Sequence, residues 1–543
     1  MNHDLSDPHL VDDQRDVLAF LADPATHGGV EPRFITTHAA VVVLAGATAL
    51  KLKRGVRYPF LDYTTPALRR AACYRELAIN HPAAPMIYRD VVAITRAADG
   101  RLSIAGDGQP VDWLLRMHRF PDGATLDVWL AANPTPFDLA ARLGEAIAEA
   151  HLAAPERDAD LWLRDVDRYL DQNLQAFREW PEVFPAHAVN ELDRAAREWL
   201  ARMTPLLLER GRLGLCRLLH GDLHARNIAM IDATPVLFDA IEFDDSIATG
   251  DVLYDLAFLV MDLHVRGHRL LASRVLNLYL GAFGRRQRAS LERTTVVPFT
   301  GQIIGGLAAM PLFLMLRAAI RAKVAAARLA LAAPAERALI ETEAQTYFER
   351  AQTYLDPVQP GFVAIGGLSG TGKTRIAIEL GRYLLPCPGA VLMRTDAHRK
   401  IDAGVAMTDR LPASAYTPES TARIYRMIEA SCRTAAAAGR AVIADAVFAR
   451  AGERAGIEAV AREVEAPFVG IWLTAPLETR LARIDSRRGD ASDATADVAR
   501  AQEAYDLGPI DWVRIDASGT PEHTMAQVLA ALTAAGIALD LSA

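Results

Sequence analysis

The sequence predicts a multidomain chain of two classes: an α+β part, in which a small β lobe precedes a large helical lobe, and an α/β part built on a doubly wound parallel sheet. Three observations carry this. Residues from about 34 to 115 read as short β segments around one helix, and from about 121 to 350 the pattern turns almost wholly helical. After residue 361, five apolar segments alternate with helical ones. Between the first of these segments and its helix stands Gly367-Leu368-Ser369-Gly370-Thr371-Gly372-Lys373-Thr374, the spacing G-x-x-x-x-G-K-T.

At 543 residues the chain is too long for a single core. With 51% hydrophobic and 23% charged residues it has material for globular cores and no disorder signature. A net charge of -8 argues against a protein whose main work is gripping nucleic acid, since phosphate backbones demand a basic surface. Cys73, Cys216, Cys387 and Cys432 lie far apart with no C-x-x-C pair, as in buried thiols of a reducing compartment. The N-terminus is polar and acidic where a secretory signal is basic and then apolar, so the expected location is cytoplasmic. Residues 296–316 are uncharged and long enough to cross a bilayer, but Pro298, Gln302, Gly305-Gly306 and Pro311 punctuate them; they read as a buried helix pair, with no membrane partner.

In chain order, residues 1–29 read as an N-terminal extension and 30–355 as the first domain, its β lobe at about 30–115 and its α lobe at about 121–350. Residues 41–44 and 48–53 form a hairpin around Gly46; 66–80 are helical; 91–95 and 111–115 are further strands. Asp356-Pro357-Val358-Gln359-Pro360-Gly361 breaks the helical run and is the expected linker. Residues 362–543 form the last domain, with strands at 362–365, 391–393, 441–444, 468–473 and 512–515.

His220-Gly221-Asp222-Leu223-His224-Ala225-Arg226-Asn227 has the spacing H-x-D-x-x-x-x-N. It suits phosphoryl transfer to a hydroxyl, because an Asp can take the hydroxyl proton while an Asn five residues on holds magnesium. That chemistry needs a strand Lys for the α/β-phosphates, a helical acid to orient it and a second metal-binding Asp. Lys51, Glu76 and Asp239 stand in that order. Lys53 shares a strand face with Lys51, so the choice between the two lysines stays open. Taken singly, each Lys is an ordinary solvated side chain and Glu76 a surface charge. His220 buttresses the loop, and Asp251 and Asp255, at the start of the next helix, read as its structural supports.

On these residues, 30–350 resemble the aminoglycoside phosphotransferase and choline kinase-like branch of the protein-kinase-like bilobal fold, whose loop is typically H-G-D-x-x-x-x-N. Lys51, Asp222, Asn227 and Asp239 match that branch's nucleotide-binding Lys, base and two metal ligands. Lys51-Leu52-Lys53-Arg54 with Phe60-Leu61-Asp62-Tyr63, and Asp239-Ala240-Ile241-Glu242-Phe243, are similar to a bacterial subgroup often fused to a P-loop domain. No G-x-G-x-x-G precedes Lys51, which leaves the cover over the ATP phosphates unassigned. The acceptor is not implied, because fold does not fix it.

In the C-terminal part, the amides of Gly367, Ser369, Gly370, Thr371 and Gly372 are placed to wrap phosphates, Lys373 to reach the β/γ oxygens and the Thr374 hydroxyl to ligate magnesium. Asp396, after the second strand, is the candidate for contacting or deprotonating an acceptor hydroxyl. Asp445, at the end of the third, is the candidate for holding metal; for both acids a helix cap is the ordinary alternative. Arg487 and Arg488 read as a closing lid that neutralises the transferred phosphoryl, flanked by Asp490 and Asp493. Arg480 and Arg483 read as decoration of a solvated helix face. Residues 360–535 resemble the P-loop kinases that include gluconate kinase, shikimate kinase and the kinase part of polynucleotide kinases, within the P-loop NTPase fold. The resemblance implies ATP, Mg2+ and a hydroxyl acceptor.

The expectation is a bifunctional, ATP-dependent phosphotransferase acting on small-molecule hydroxyls. Two alternatives stay beside it: one head as a nucleotide-binding regulatory module, or a nucleic-acid end kinase in the P-loop head. Nothing in the sequence speaks to oligomeric state.

Overall fold

The computed structural model describes residues 9–58, 61–290, 299–330, 332–405, 407, 409–485 and 493–541. The chain packs as two compact units, one of residues up to 136 with 154–158 and 216–255, the other of 137–153, 159–215 and 256 onward.

In the first unit, strands β1 (Arg33–Thr36), β2 (Ala40–Ala45), β3 (Thr48–Lys53), β6 (Tyr88–Arg96), β7 (Leu102–Ile104) and β8 (Gln109–His118) form an antiparallel sheet in the order β1-β2-β3-β8-β6-β7. The short strands β4 (Arg57–Tyr58) and β5 (Leu61–Asp62) pair separately. The expected hairpin is present, with Ala45 opposite Thr48 and Val42 opposite Lys51 around the turn at Gly46. Its period of two sorts the side chains: Val41, Val43, Leu50 and Leu52 enter one core with Val92, Ile94 and Leu114. Lys51 and Lys53 thereby share the other face of β3.

The helix Pro66–Asn80 has the bounds the sequence predicts; Pro66 opens it and Thr65 Oγ1 caps the amide of Leu68 at 3.3 Å. Within the stretch expected as an extension, Arg15–Ala22 is a helix whose Val17 and Leu21, four residues apart, complete the core of the sheet. Four strands follow in this unit: β9 (Cys216–Leu218), β10 (Ile228–Ile231), β11 (Thr234–Leu237) and β12 (Thr249–Asp251), pairing β9 with β12 and β10 with β11. The His220–Asn227 loop lies between β9 and β10, and Asp239 lies just past β11.

The second unit holds long helices and a parallel sheet. Strands β13 (Phe362–Gly366), β14 (Val391–Arg394), β15 (Val442–Asp445), β16 (Phe468–Thr474) and β17 (Val513–Asp516) order as β14-β15-β13-β16-β17, all parallel. Every residue of the central strand β13 is buried, which accounts for the unbroken apolar run from which it was predicted.

The apolar segment expected as a helix pair begins outside the described residues at 296–298. Beyond them it is a helix Phe299–Gly305, a 3-10 turn Gly306–Ala309 and a helix Met310–Ala327. Gly301–Ala330 is long and apolar enough to cross a membrane, yet 78% of its most apolar window is buried within the protein.

Residues 356–361 join the helix Pro334–Thr353 to β13. The contact between the helical residues and the parallel sheet is wider than that strand of chain. In the helix Arg269–Ser290, the Asn277 side chain donates to Ala390 O at 3.0 Å and accepts from Leu392 N at 2.7 Å, so it occupies the open edge of β14 as a neighbouring strand would. Arg269 donates to Arg382 O at 3.2 Å and Asp540 O at 3.0 Å, and pairs with the Asp540 carboxylate at 2.8 Å. The four cysteines are free thiols.

Candidate active sites

In the first unit, Lys51 Nζ stands 2.7 Å from Glu76 Oε1 and 2.7 Å from Asp239 Oδ1. Three of the residues read from the sequence therefore converge from β3, the helix Pro66–Asn80 and the chain after β11. Burial disfavours a charged Lys51, but Asp239, Glu76 and Glu242 more than offset it and raise its pKa well above the usual lysine value. Burial likewise works against ionisation of Asp239, and the charges of Lys51, Lys53 and His220 hold its carboxyl below the usual range. The Asp239 side chain remains 45% exposed, so the carboxylate can still reach a ligand.

Asp239 sits at φ +61°, a conformation costing a non-glycine residue about 1–3 kcal/mol that the surroundings must sustain. They do so closely. The amide of Asp239 donates to the Tyr88 hydroxyl at 3.0 Å, and Asn80 brackets Ala240, accepting from its N–H at 2.7 Å and donating to its C=O at 3.3 Å.

Asp222 is 38% exposed and accepts from Asn227 Nδ2 at 2.9 Å, while His224 Nε2 lies 3.5 Å from the same carboxylate. The loop is held from behind. Asp255 accepts from Gly221 N at 3.0 Å and His220 N at 3.3 Å, the supporting role predicted for it. Asp251 accepts from Leu253 N at 2.8 Å and so caps the following helix. His220 Nε2 lies 2.9 Å from Phe238 O, which ties the loop to the strand end before Asp239. Gly221 has φ +78°, and a Cβ there would lie 2.9 Å from Ala248 Cα, so both conformation and space require glycine.

The residue that sequence reasoning did not find here is Glu242. It pairs with Lys53, accepts from the Tyr63 hydroxyl at 3.0 Å, and faces a Lys53 that also lies 2.5 Å from Glu76 Oε2. A two-residue strand period puts both lysines on one face; it could not show that an acid 189 residues away meets the second. Phe60, from the segment that carried the family likeness, lies outside the described residues.

In the second unit, the glycine-rich turn leads from β13 into the helix Lys373–Gly381. Gly367, Gly370 and Gly372 take φ of +139°, +88° and +95°. A Cβ on Gly370 would fall 2.6 Å from Arg480 O, so this glycine permits a close approach as well as a left-handed turn. Thr371 Oγ1 donates to Leu368 O at 2.8 Å, and Lys373 Nζ donates to the same carbonyl at 3.1 Å. Ser369 N donates to Gln502 Oε1 at 2.7 Å.

The Thr374 hydroxyl donates to Asp445 Oδ2 at 2.6 Å, which brings together the two predicted magnesium ligands; a hydroxyl beside a carboxylate suits a hard divalent cation. Arg394 Nε stands 3.4 Å from the same Asp445 oxygen. Asp445, at the end of β15, thus faces the glycine-rich turn. Asp396 falls in the first turn of the helix Thr395–Ala403, whose N-cap is Arg394. Asp396, Lys373 and Asp445 line one cavity of about 2090 Å³, whose wall also includes Arg274 and Asn277 of the helix Arg269–Ser290.

The solvated-face expectation for Arg480 and Arg483 is overturned. Arg480 is 2% exposed; it donates to Ser369 O at 2.9 Å and Ala499 O at 3.2 Å, and pairs with Glu503. Arg483 donates to Ala517 O at 2.8 Å and Thr371 O at 3.4 Å. Carbonyls of the phosphate turn need donors behind them, and these guanidinium groups supply them. The predicted lid arginines, Arg487 and Arg488, and Asp490 lie outside the described residues. Asp493 is described: it accepts from the Tyr416 hydroxyl at 2.5 Å and Leu411 N at 3.2 Å, and lies 3.3 Å from Lys400 Nζ. Arg399, unremarked in the sequence, is buried, donates to Ala415 O and stacks 4.7 Å over the Tyr416 ring.

Two separate parts of the chain are similar to different families. Residues 51–291 match the phosphotransferase enzyme family and residues 362–506 match an AAA domain family. An uncharacterized protein of Mycobacterium tuberculosis (strain ATCC 25618 / H37Rv) is 27% identical over 502 residues, 90% of this chain and 93% of its own length. Among solved structures, a choline/ethanolamine kinase family protein from Mesorhizobium loti aligns with 63% of this chain and 94% of its own, at 15% identity and a TM-score of 0.36. A gluconokinase from Sinorhizobium meliloti 1021 aligns with 33% of this chain and 94% of its own, at 17% identity and a TM-score of 0.25.

Proposed function

We propose that this chain, a phosphotransferase that joins a domain of the phosphotransferase enzyme family to a P-loop kinase domain, is a bifunctional cytoplasmic enzyme in which each head transfers the γ-phosphoryl of Mg-ATP to a small-molecule hydroxyl. The observation that carries the reading is the junction of Lys51 with Glu76 and Asp239, at 2.7 Å each, in the unit that also presents Asp222 and Asn227. A buried lysine held between two carboxylates is costly unless the site has use for the charge, and ATP phosphates supply that use.

In the first head Lys51 orients the α/β-phosphates and Asp222 takes the acceptor's hydroxyl proton while the new O–P bond forms and the bond to the β–γ bridging oxygen breaks, leaving ADP. Asn227 and Asp239 would hold the metal, which draws the γ-phosphoryl charge away from the incoming oxygen. In the second head Lys373 and the turn from Gly367 to Gly372 bind the phosphates, Thr374 and Asp445 would hold the metal, and Asp396 receives the proton. The second head's acceptor occupies the cavity of about 2090 Å³, which exceeds the roughly 300–1,000 Å³ of an ordinary ligand site and has room for a nucleotide and a second molecule. The proposed partners are small-molecule hydroxyl acceptors, in preference to nucleic acid or a membrane.

Binding stoichiometry tests the proposal. The wild-type chain is expected to bind two equivalents of Mg·AMP-PNP, and Lys51→Ala and Lys373→Ala are each expected to retain one. A chain that binds one equivalent and loses it through either change would refute two independent ATP sites.

A further inference from the structure

We infer that Lys53 is a positioning residue: paired with Glu242, it pins the segment bearing Asp239 to β3 and fixes Glu76 for Lys51, and it makes no phosphate contact of its own. This rests on the reading of Lys51 as the nucleotide-binding lysine. Five charged groups form one chain of contacts, running Asp239, Lys51, Glu76, Lys53, Glu242. The two ends differ. Lys51 is 14% exposed and its terminal partner Asp239 is 45% exposed, whereas the side chains of Lys53 and Glu242 are 3% and 8% exposed. A ligand therefore reaches the Lys51 end more readily than the Lys53 end. Tyr63 packs on the Lys53 end, donating to Glu242 at 3.0 Å with its ring centroid 5.4 Å from Lys53 Nζ.

Geometry makes the Lys53 end a brace. Glu242 lies three residues beyond Asp239, so a Lys53–Glu242 pair fixes the far side of a turn whose near side is fixed by Lys51 and Tyr88. Charge balance makes it necessary. Without Lys53, one ammonium group faces three carboxylates, Glu242 loses its cation in a buried space, and Glu76 Oε2 loses the partner that fixes it. Glu76 then has no fixed place from which to orient Lys51.

The test uses the full chain carrying Lys373→Ala, so that only the first head binds Mg·AMP-PNP, with affinity read by calorimetry. Lys53→Met is expected to weaken binding by about 10- to 100-fold, the range found when a group that orients a ligating residue is removed. Lys53→Met combined with Glu242→Gln is expected to recover much of that loss, because the orphaned acid leaves together with its base. A purely structural role would make the double variant worse than either single one. Glu242→Gln alone changes no volume and covers the case in which Lys53→Met does not fold; it frees Lys53 to draw Glu76 away and should weaken binding in the same direction. Wild-type affinity in Lys53→Met or in Glu242→Gln, or a double variant no better than Lys53→Met, would overturn the inference. Unchanged binding in Lys51→Ala would instead refute the nucleotide site on which it rests.

Discussion

Asp255 gives the sharpest test of how the first unit holds Asp222, the base proposed above. This buried carboxylate accepts from the amides of His220 and Gly221, the two residues immediately before Asp222. Hydrogen bonds to a charged acceptor contribute about 1.5–3 kcal/mol each, and an amide left buried without a partner costs about 1–3 kcal/mol. The bond at 3.3 Å belongs at the low end of the first range and the bond at 3.0 Å nearer its middle. Asp255→Ala should therefore destabilise the chain by about 3–5 kcal/mol. Asp255→Asn keeps one acceptor and turns an NH2 group toward the other amide, so about 2–3 kcal/mol is expected. The functional effect is larger than the structural one. A base misplaced by 1 Å costs about 100-fold in rate, while Lys51, Glu76 and Asp239 are held by other contacts and keep their nucleotide. In a Lys373→Ala background, Asp255→Asn should lower the turnover number at least about tenfold and leave the KM for ATP within about threefold. Urea unfolding and steady-state ATP consumption measure the two effects. Wild-type stability and turnover in Asp255→Asn would refute the claim that this carboxylate places Asp222.

Three other predictions concern the second unit. Burial, reinforced by the charges of Arg350 and Arg269, lowers the pKa of His264 from 6.5 to about 4, so it is neutral in the fold, with Nδ1 3.2 Å from the Tyr354 hydroxyl. The unfolded chain then binds the proton first as pH falls below 6.5, and stability is lost through that window down to pH 4, by about 2 kcal/mol at pH 5; His264→Gln should lose that much less between pH 7 and pH 5 in urea melts. Asn277→Ala strips two hydrogen bonds from the edge of β14 and should cost about 1–3 kcal/mol, with the Leu392 amide exchanging faster by hydrogen-exchange mass spectrometry; unchanged protection would show that the contact does not form in solution. Arg480→Lys keeps the charge but loses the fork that reaches Ser369 O and Ala499 O, so it should weaken Mg·ADP binding in a Lys51→Ala chain nearly as much as Arg480→Met does; full rescue by Lys would mean that charge alone matters.

The parallel sheet was legible because its central strands are apolar runs bounded by turns, and the hairpin because alternation and a glycine turn coincide. Lys51, Glu76 and Asp239 were legible through the order that phosphoryl transfer requires, and that order survives in three dimensions as two contacts of 2.7 Å. What the sequence withheld has a common cause. Lys53 and Lys51 look alike until Glu242 is placed, and Glu242 reaches them only through the turn after β11. Arg480 and Arg483 looked solvated because a short helix with charges on it has no visible buried side. Their partners are main-chain carbonyls of a distant turn, and carbonyls leave no mark in composition. The Arg15–Ala22 helix was passed over because its two core residues, Val17 and Leu21, are few beside the acidic residues that precede them.

The central claim is two phosphoryl-transfer machines in one chain, and product-resolved transfer from γ-labelled ATP tests it most directly. Wild type, Asp222→Ala and Lys373→Ala would be screened against one panel of sugars, polyols, nucleosides and aminoglycosides. The account predicts at least two labelled products in wild type, one lost in Asp222→Ala and the other in Lys373→Ala. No labelled product from the wild-type chain, or a single product lost equally in both variants, would contradict it.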